Sequence, residues 1–492
     1  MVKRKLRSLS RTDRSSAKTI HVFRLGSAKV VVLFSLLVGQ GCATYYQANY
    51  SFNEAFERGN LDAALKALQD SPSRDYRKTE FLYFVNNGLL LSVLGRYEES
   101  NEYLEKAFIF GEDFRVNYLN EAASYLTNPT IASYRGEDHE HLMVLYYKAM
   151  NFLKMGKNSE ALVECRRLNI RLQQLSDRYQ SDKKFQRDAF IHLLMGIIYE
   201  ADNDFNNAFI AYRNAYEIYQ SDYQDLFGEV APPQLKTDIL RTALLSGLQS
   251  EFEQFKTEFG MQDYQYEPTD GGDLVFFWHN GLTPVKAEWS INFIVNRNGN
   301  TVTFINEDLG FSFPFNIGDY DEDEKSGLAA LEVFRVAFPK YVERPVYFTS
   351  ASIKTEHASI ELQQVENVNK IAQQVLSQRM KLEFSKALLR AALKKATEYQ
   401  MRKENKALGS LFGIINALTE KADTRNWQTL PHSIYYSRVP LNLGTNEVTL
   451  SLQPAGDKPA EPHTFTYVID KKGMIFHTFT SLETRYPSYN LY

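Results

Sequence analysis

Cysteine is scarce in this sequence. The 492 residues include two cysteines, Cys42 and Cys165, which can form one disulfide at most and none if either thiol is modified. A disulfide framework is therefore excluded, and core packing must stabilise the fold. A chain of this length can form two or three domains with full hydrophobic cores. Cys165 occupies a core position of a predicted helix, where a buried thiol is usually inert.

Long apolar runs are also missing. Residues 30–38 are all apolar except Ser35, and nine residues are too few to cross a bilayer. No apolar run of transmembrane length follows Cys42. Residues 1–41 contain nine basic residues and one acidic residue, so this segment is typical of a secretion signal that is removed on export.

Small residues lead from the apolar stretch to Cys42. This pattern resembles the lipobox of bacterial lipoproteins, although Gly39 and Gln40 stand where a large apolar residue and a small one are usual. The resemblance implies that residues 1–41 are a signal peptide and that Cys42 is diacylated, which anchors the chain stably. The alternative is an ordinary signal peptide cleaved nearby, with Cys42 a free thiol. Because Ala43 rather than aspartate follows the cysteine, the usual sorting pattern predicts the outer membrane.

Positive charge is scarce beyond the signal segment. The whole chain carries a net charge of −4, and without the nine basic residues and one acidic residue of 1–41 the remainder carries −12. Nucleic-acid binding requires clustered lysine and arginine to neutralise phosphates. The charge therefore argues against a nucleic-acid partner, and it does not suggest peripheral binding to anionic lipid.

Local catalytic and metal-binding motifs are absent as well. The sequence has no phosphate-binding glycine loop, nucleophile elbow or HExxH helix. His139 and His141 flank Glu140, but without a third histidine nearby we interpret them as part of a solvated loop before a helix. The acidic run 319–324 begins like a calcium loop, but Glu324 and Ala330 stand where glycine and a bidentate glutamate are required. We predict no catalytic, cofactor-binding or metal-binding residues.

Residues 42–262 have helical apolar spacing, and four segments resemble tetratricopeptide repeats. In this repeat a small residue on helix A lets helix B pack closely. The repeats begin at Phe52, Gly88, Ala149 and Gly196, and insertions must separate them because the spacings are uneven. Residues 235–259 are predicted to form a closing helix. The helix A faces would then line a concave peptide-binding surface, or the grooves would be filled by the chain's own inserts.

After residue 262 the helical spacing of apolar residues gives way to alternation, so residues 263–492 are predicted to form a β-rich domain. A breaker cluster at 269–272 is followed by alternating apolar residues. The predicted strands are 273–279, 285–295, 301–306, 345–354, 434–439, 447–452, 464–469 and 474–479, with a short helix over 326–338. Asn298-Gly299 predicts a hairpin, and the last two strands turn at Lys472-Gly473. About eight strands suit a small antiparallel sandwich.

A long helical insertion is predicted over residues 362–421, which are rich in Ala, Leu, Lys and Gln. Its polar face mixes Lys with Glu, which favours packing across the sheet or the helical half over lying on a membrane. Within it, the apolar stretch 409–417 contains two glycines and is interpreted as a buried close-contact turn or helix pair. The predicted fold class is α+β and multidomain: a tetratricopeptide-like α-solenoid followed by a sandwich-like domain with this insertion.

The run 422–431, ADTRNWQTLP, carries the most specific pattern in the chain. Trp427 either marks a site or fills a core with its indole N–H satisfied, and we favour the core, with Arg425 paired locally. Together with the run 280–286, NGLTPVK, and the lipobox, it resembles a family of largely uncharacterised bacterial lipoproteins with N-terminal tetratricopeptide-like helices. The resemblance covers nearly the whole mature chain and supplies no catalytic residues.

These observations predict a scaffold or adaptor of the bacterial cell envelope. It would be lipid-anchored to the outer membrane, would face the periplasm, and would bind protein partners through its repeats. The family resemblance points to small lipoproteins of an assembly related to peptidoglycan synthesis as partners. A hydrolase acting on the cell wall and a surface-exposed binding lipoprotein are the alternatives.

Overall fold

The computed structural model describes residues 44–70, 78–113, 133–178, 187–308, 310–318, 333–356, 358–377 and 422–488, and single helical positions between 380 and 397. Helices occupy the first part of the chain. Their bounds are α1 Tyr45–Ala48, α2 Tyr50–Glu57, α3 Leu61–Gln69, α4 Glu80–Val93, α5 Tyr97–Asp113, α6 Asp138–Lys154, α7 Asn158–Arg178, α8 Ala189–Ala201, α9 Phe205–Ile218, a π-helix Tyr219–Tyr223, α10 Gln224–Phe227, α11 Pro233–Leu245 and α12 Gln249–Phe259.

The helices pack as consecutive pairs. The first helices are α2, α4, α6, α8 and α11, and their partners are α3, α5, α7, α9 and α12. Small residues permit the close approach, as the sequence predicted. A Cβ atom on Gly88 would lie 2.5 Å from a methyl carbon of Leu104, and one on Gly196 would lie 2.4 Å from the ring of Tyr212. The tetratricopeptide-like packing predicted for these segments is thus present in the structure.

The predicted closing helix is wrong in one respect, because residues 235–259 form two helices. The first ends at Leu245 and the second begins at Gln249. Gly247 turns the chain between them with φ 72°, a left-handed conformation that glycine adopts without steric cost. Leu248 N–H then donates to the Ala243 carbonyl oxygen. The segment is therefore a fifth helix pair rather than a single cap.

In the described part of the chain, twelve strands form three four-stranded sheets. The orders are β12-β1-β9-β8, β11-β10-β6-β7 and β4-β3-β2-β5, here called the central, outer and third sheets. The bounds are β1 Gly272–Asn280, β2 Val285–Asn298, β3 Thr301–Asn306, β4 Phe311–Asn316, β5 Val333–Val342, β6 Phe348–Lys354, β7 Ser359–Glu361, β8 Gln363–Glu366, β9 Ser433–Leu441, β10 Gly444–Pro454, β11 Glu461–Ile469 and β12 Gly473–Ser481.

The central sheet lies between the helices and the outer sheet. Successive residues of a strand face opposite sides, and β1 is buried on both. Phe276 and Trp278 pack in one cluster with apolar residues of the outer sheet. Val275 and Phe277 belong to the cluster that contains the helix cores. The described residues thus stack in three layers, helices, central sheet and outer sheet. Six of the eight predicted strands lie in the two sheets, but 285–295 and 301–306 belong to the third sheet, and the predicted antiparallel arrangement is wrong for β1 and β12, which are parallel.

The third sheet has its own small core. Phe293 and Phe338 pack there against Phe384 and Leu388 of the insertion. The predicted hairpin is confirmed, since β2 and β3 pair antiparallel from Ile294 and Ile305 to Asn298 and Thr301. The predicted helix over 326–338 is wrong for residues 333–338, which belong to β5 and pair with β2. The run 333–338, VFRVAF, is rich in β-branched and aromatic residues, which favour a strand.

Two further expectations need correction. The strands β11 and β12 do not pair across Lys472-Gly473, because β11 joins β10 in the outer sheet and β12 runs parallel to β1 in the central sheet. The insertion does not begin as a helix at Leu362: residues 363–366 form β8, and a helix, α13, follows over 368–377. The stretch 409–417 lies outside the described residues. None of the helices that the structure describes is long and apolar enough to span a bilayer.

Candidate functional site

The helix A faces, predicted to form an open recognition surface, are covered by the β-rich half. The first helix of every pair in the described chain makes a polar contact to it. The contacts are Glu57 Oε1 to Arg344 Nη1 at 3.1 Å, Asn86 Oδ1 to Thr429 Oγ1 at 2.8 Å, Glu140 Oε1 to Trp427 N at 2.6 Å, Glu200 Oε2 to Arg438 Nη2 at 2.7 Å, and Asp238 Oδ2 to Tyr436 Oη at 2.8 Å. The predicted groove is therefore filled by the chain itself, although by the β-rich half rather than by repeat inserts.

Trp427 lies at the centre of this contact and fills the core. Its side chain is 1% exposed, and its indole Nε1–H donates to Thr429 Oγ1 at 2.9 Å. Its ring lies 6.1 Å from that of Tyr147 on α6. Nearby, the Arg425 guanidinium binds both carboxylate oxygens of Asp423, at 2.8 and 2.6 Å. The interpretation of Trp427 as a core residue and of Arg425 as locally paired is confirmed.

The two sequence runs that carry the family resemblance meet in space. Asn426 Nδ2 donates to the Pro284 carbonyl oxygen at 2.9 Å, and the Lys286 backbone N–H donates to Asn426 Oδ1 at 3.3 Å. The Lys286 ammonium pairs with Glu137 at the start of α6. The runs 280–286 and 422–431 thus form one junction, which attaches the β-rich half to the third helix pair.

Glu140, rather than the histidines beside it, is the central residue of that junction. Its carboxylate accepts hydrogen bonds from the backbone of Trp427, from Glu137 N–H at 2.9 Å and from Tyr134 Oη at 2.8 Å. Burial and the charge of Glu137 raise the pKa of Glu140 to about 7. No sequence signal singles out Glu140, because local spacing does not show that a carboxylate three residues into a helix faces a core.

The paired histidines are buried rather than solvated. His139 and His141 lie in the first turn of α6, and both side chains are withdrawn from water. His141 Nε2 lies 2.7 Å from the Arg135 carbonyl oxygen. Among the described residues no group of three or more His, Cys, Asp or Glu side chains is placed to hold a metal ion. The predicted solvated loop is wrong, since both histidines pack within the helix cluster.

A second buried junction, the Glu200 cluster, joins the helices to the central sheet. Arg241 on α11 binds both oxygens of Glu200 at 2.8 and 2.9 Å, and Arg438 on β9 approaches the same carboxylate at 2.7 Å. Asp238 and Asp273 complete the cluster with contacts of 2.6 and 2.9 Å to the two arginines. Burial alone would raise the pKa of Glu200, but the two guanidinium groups lower it to about 2.

A groove is open on the surface of the helices, and its lining includes no residue of the β-rich half. It lies between α5, α6 and α7 and has a volume of about 660 Å³. Phe152 and Met155 supply apolar walls, and Ile109 beside them is 48% exposed. Charges of both signs surround these residues, including Glu102 and Arg167. This surface, here called the helical groove, offers an apolar centre with a mixed charged rim.

Internal ion pairs fix the floor of the helical groove. The Lys148 ammonium lies 2.9 Å from Glu164 Oε1 and also pairs with Glu105. Arg167 shares Glu105 Oε2 at 3.3 Å and lies with its guanidinium carbon 5.1 Å from the centre of the Phe108 ring. Because these charges are already paired, they shape the groove without strongly favouring either sign of ligand charge.

Two predicted features lie outside the described residues. They are the lipidation site Cys42 and the acidic run 319–324. Cys165, in contrast, is a free cysteine that is fully buried in α7. Burial raises the pKa of its thiol well above its ordinary value, so it has little thiolate character. This agrees with its interpretation as a packing residue.

No protein-family model matches the chain, and no curated protein matches it significantly. Solved structures with similar helices include MamA 41-end from Desulfovibrio magneticus RS-1, at 15% identity over 43% of this chain and 89% of that one, with a TM-score of 0.27. The apo form of RapI is 14% identical over 46% and 56% of the two chains, with a TM-score of 0.31. Pseudomonas aeruginosa PilF is 13% identical over 50% and 87%, with a TM-score of 0.28. Scores this low do not establish a shared fold, so the repeat architecture rests on the helix pairs of this structure.

Proposed function

We propose that this protein is a lipid-anchored scaffold of the bacterial cell envelope. Residues 1–41 act as the export signal, Cys42 carries the lipid, and the chain is held on the periplasmic face of the outer membrane. The basic segment, the short apolar core and the small residues before Cys42 support this location. The net charge of −12 beyond the signal segment leaves the lipid, rather than a basic surface, as the source of membrane attachment.

The observation that carries the scaffold function is the closure of the helix A faces by the β-rich half. Five helix pairs and the central sheet share one hydrophobic cluster in the described chain, and buried ion pairs link them. A protein built this way presents a rigid outer surface. The helical groove is then the surface with the geometry to receive a partner, and it replaces the helix A faces that the sequence predicted.

The chemistry of the helical groove suits a segment of another protein. Phe152, Met155 and Ile109 provide an apolar centre, and methionine adapts its shape to different side chains. The rim carries charges of both signs, as recognition surfaces for proteins often do. A folded or extended segment with an apolar side chain between charged residues would fit. In keeping with the sequence resemblance, the proposed partner is an envelope protein, with small lipoproteins of a peptidoglycan-synthesis assembly as the leading class.

Site-specific crosslinking in intact cells tests the partner surface. A photoreactive residue replaces Ile109 in the groove, and a matched one replaces Ile210 on α9, which is 38% exposed and belongs to the next helix pair. We expect Ile109 positions to trap one or two envelope proteins and Ile210 positions to trap none. Equal or absent crosslinking at both sites, together with binding or cleavage of isolated peptidoglycan by the purified protein, would contradict the scaffold function in favour of a wall-acting one.

The anchor has a separate test. Cys42→Ala should abolish fatty-acid labelling, and the chain should either leave the membrane fraction or retain its signal peptide. Cys165→Ala is the matched control and should be labelled as fully as the unaltered protein. Full labelling of the Cys42 variant, or recovery of the unaltered protein in the inner-membrane fraction, would contradict the proposed location.

A further inference from the structure

A cavity of about 210 Å³ lies where α6 meets the end of β12, the edge strand of the central sheet. Its walls come from both halves of the protein. Tyr97, Met150 and Lys154 contribute from the helices, and His279 and Thr478 contribute from β1 and β12. This cavity, here called the junction cavity, is separate from the helical groove and plays no part in the scaffold function proposed for the protein.

Lys154 is the charged residue of the junction cavity. Its ammonium lies 5.2 Å from the centre of the Tyr97 ring. Within the described ranges its ammonium has no hydrogen-bonded or ion-paired carboxylate. Lys154 is half-buried, and partial desolvation without a counter-ion lowers its pKa to about 8. The cavity therefore has an uncompensated positive charge in its wall.

His279 lines the junction cavity without adding charge to it. Its Nε2 lies 2.8 Å from Tyr146 Oη, and its Nδ1 lies 3.5 Å from Tyr147 Oη. Burial and the positive charge of Lys154 lower the pKa of His279 to about 3. The imidazole is thus neutral at any physiological pH, and the one positive charge in the cavity wall is that of Lys154.

Thr478 provides a hydroxyl without a partner. Its Oγ1 is buried and makes no hydrogen bond within the described chain. A buried hydroxyl without a partner costs free energy, so a ligand oxygen that received this hydrogen bond would be stabilised. The unpaired ammonium and the unpaired hydroxyl thus line the same cavity, and both are donors.

The size and the remaining walls restrict the ligand further. A cavity of about 150 Å³ holds one benzene molecule, so the junction cavity has room for a ring of that size and one small polar group. Met150 and the Tyr97 ring supply apolar surface. A single ammonium matches a single negative charge. We propose that the junction cavity binds a small organic monocarboxylate, with its carboxylate on Lys154 and Thr478 and its apolar body against Met150 and Tyr97.

Calorimetric titration of the purified full chain tests this assignment, with benzoate, benzyl alcohol and inorganic phosphate as probes. We expect benzoate to bind, benzyl alcohol of similar size to bind at least tenfold more weakly, and phosphate not to compete. Lys154→Met keeps an unbranched apolar side chain and removes the ammonium, so it should weaken benzoate binding about 10- to 100-fold, the range for a lost hydrogen bond to a charged group. Lys157→Met, three residues further on and in the helical groove instead, should leave it unchanged.

A second variant protects the test against misfolding. Thr478→Val preserves the shape of the side chain and removes the hydroxyl, so it should weaken benzoate binding while the melting temperature stays within a few degrees of the unaltered value. Benzoate affinity should also fall as the pH rises through the pKa of Lys154. Equal binding of benzoate and benzyl alcohol, undiminished binding by a folded Lys154→Met variant, or tighter binding of phosphate than of benzoate would each overturn the assignment.

Discussion

Buried charged and polar side chains specify how the helices and the β-rich half fit together. Removing one partner of a buried ion pair leaves the other charge unpaired, which costs about 3 to 5 kcal/mol. In the Glu200 cluster, both arginines converge on one carboxylate. A shift of the central sheet by one residue would turn Arg438 to the opposite face. The cluster therefore fixes the register of β9 against the helices.

Residue spacing did not reveal these buried charges. Glu200 follows an apolar run on α8, and in a helix the same spacing also places residues on a solvent-exposed face. Core packing was predicted for Trp427 because a large aromatic side chain is usually buried. Local pairing was predicted for Arg425 because a guanidinium usually binds a nearby carboxylate or carbonyl. Glu140 and Asp238 gave no comparable signal, since their partners lie far away in the sequence. Predicting them would have required the arrangement of the sheets beforehand.

Replacing Trp427 with alanine should destabilise the protein strongly. The side chain is fully buried between the halves, and truncation of a buried tryptophan costs about 3 to 5 kcal/mol. Urea unfolding measures the change in free energy. Trp289→Ala in the third sheet is the control, and its effect should be smaller because that side chain is half-buried. Unaltered stability with loss of partner crosslinking would instead make Trp427 a binding residue.

Asp188 and Glu366 form a buried carboxyl pair that we expect to hold a proton in the folded state. Tyr223 Oη lies 3.2 Å from Asp188 Oδ1 and 2.8 Å from Glu366 Oε2. A phenol has one hydrogen, so Tyr223 cannot donate fully to both carboxyls at once, and a proton held on one of them would relieve the repulsion between the two charges. The pair is surrounded by Tyr219, Tyr223 and Glu229. Glu229 is itself paired with Lys370 at 3.0 Å. No cation directly contacts the pair among the described residues.

The carboxyl pair should make stability depend on pH. Burial and mutual repulsion raise the pKa of Glu366 well above its ordinary value, and burial raises that of Asp188 to about 6. The folded state therefore retains a proton that the unfolded state has lost, and stability falls as the pH rises from the ordinary carboxyl pKa of 4.5 through the native pKa. Each unit by which the native pKa exceeds the unfolded pKa corresponds to about 1.4 kcal/mol in the free energy of unfolding.

Glu366→Gln isolates this effect, because the amide supplies a hydrogen-bond donor at every pH. Urea unfolding at several pH values between about 4 and 9 should show that the variant gains stability relative to the unaltered protein as the pH rises. Glu98→Gln, on an exposed side chain, is the matched control and should leave the profile unchanged. Parallel profiles for the Glu366 variant and the unaltered protein would contradict proton sharing.

At the scale of the element, local pattern predicted four of the five helix pairs and most strands. Strand β1 followed from alternation and its Asn280-Gly281 turn, and the hairpin of β2 and β3 followed from Asn298-Gly299. Strand β5 was mistaken for a helix in part because the run just before it, LAALE at 328–332, consists of strong helix formers. The parallel pairing of β12 with β1 was not predictable, since residues 272–280 and 473–481 are joined by no local signal. Pairing between strands so far apart in the sequence depends on how the whole sheet is arranged.

Gly196→Ala tests the close contact that defines the best repeat. Alanine favours a helix by about 1 kcal/mol over glycine, but its Cβ would lie 2.4 Å from the Tyr212 ring. Tyr212 is held by its hydrogen bond to Glu200 Oε2 at 2.9 Å, so it cannot move freely. We expect a net loss of about 1 to 3 kcal/mol in free energy of unfolding. Gly473→Ala is the control and should change stability little, because a Cβ atom added there would meet no neighbouring atom within 4 Å.

At the scale of the whole molecule, we expect the three layers to behave as a single folding unit, because the helices and the central sheet share a hydrophobic cluster. One hydrophobic cluster extends from Tyr45 on α1 to Leu482 after β12. The helix pairs would expose their first helices without the central sheet, and the sheet would expose Val275 and Phe277 without the helices. Neither half has a complete core by itself, so we expect the two to unfold together.

The distribution of tryptophan makes this expectation measurable. All three tryptophans, Trp278, Trp289 and Trp427, lie in the β-rich half, whereas the helices dominate the far-ultraviolet circular dichroism. Trp289→Phe removes the one in the third sheet, which has a core of its own, so the remaining fluorescence reports the two faces of the central sheet. Urea transitions followed by fluorescence and by dichroism should then coincide, as two-state unfolding requires. The unaltered protein is the control for the substitution, and a fluorescence midpoint well below the dichroism midpoint would show that the helices are stable without the sheet and that their first faces can open to a partner.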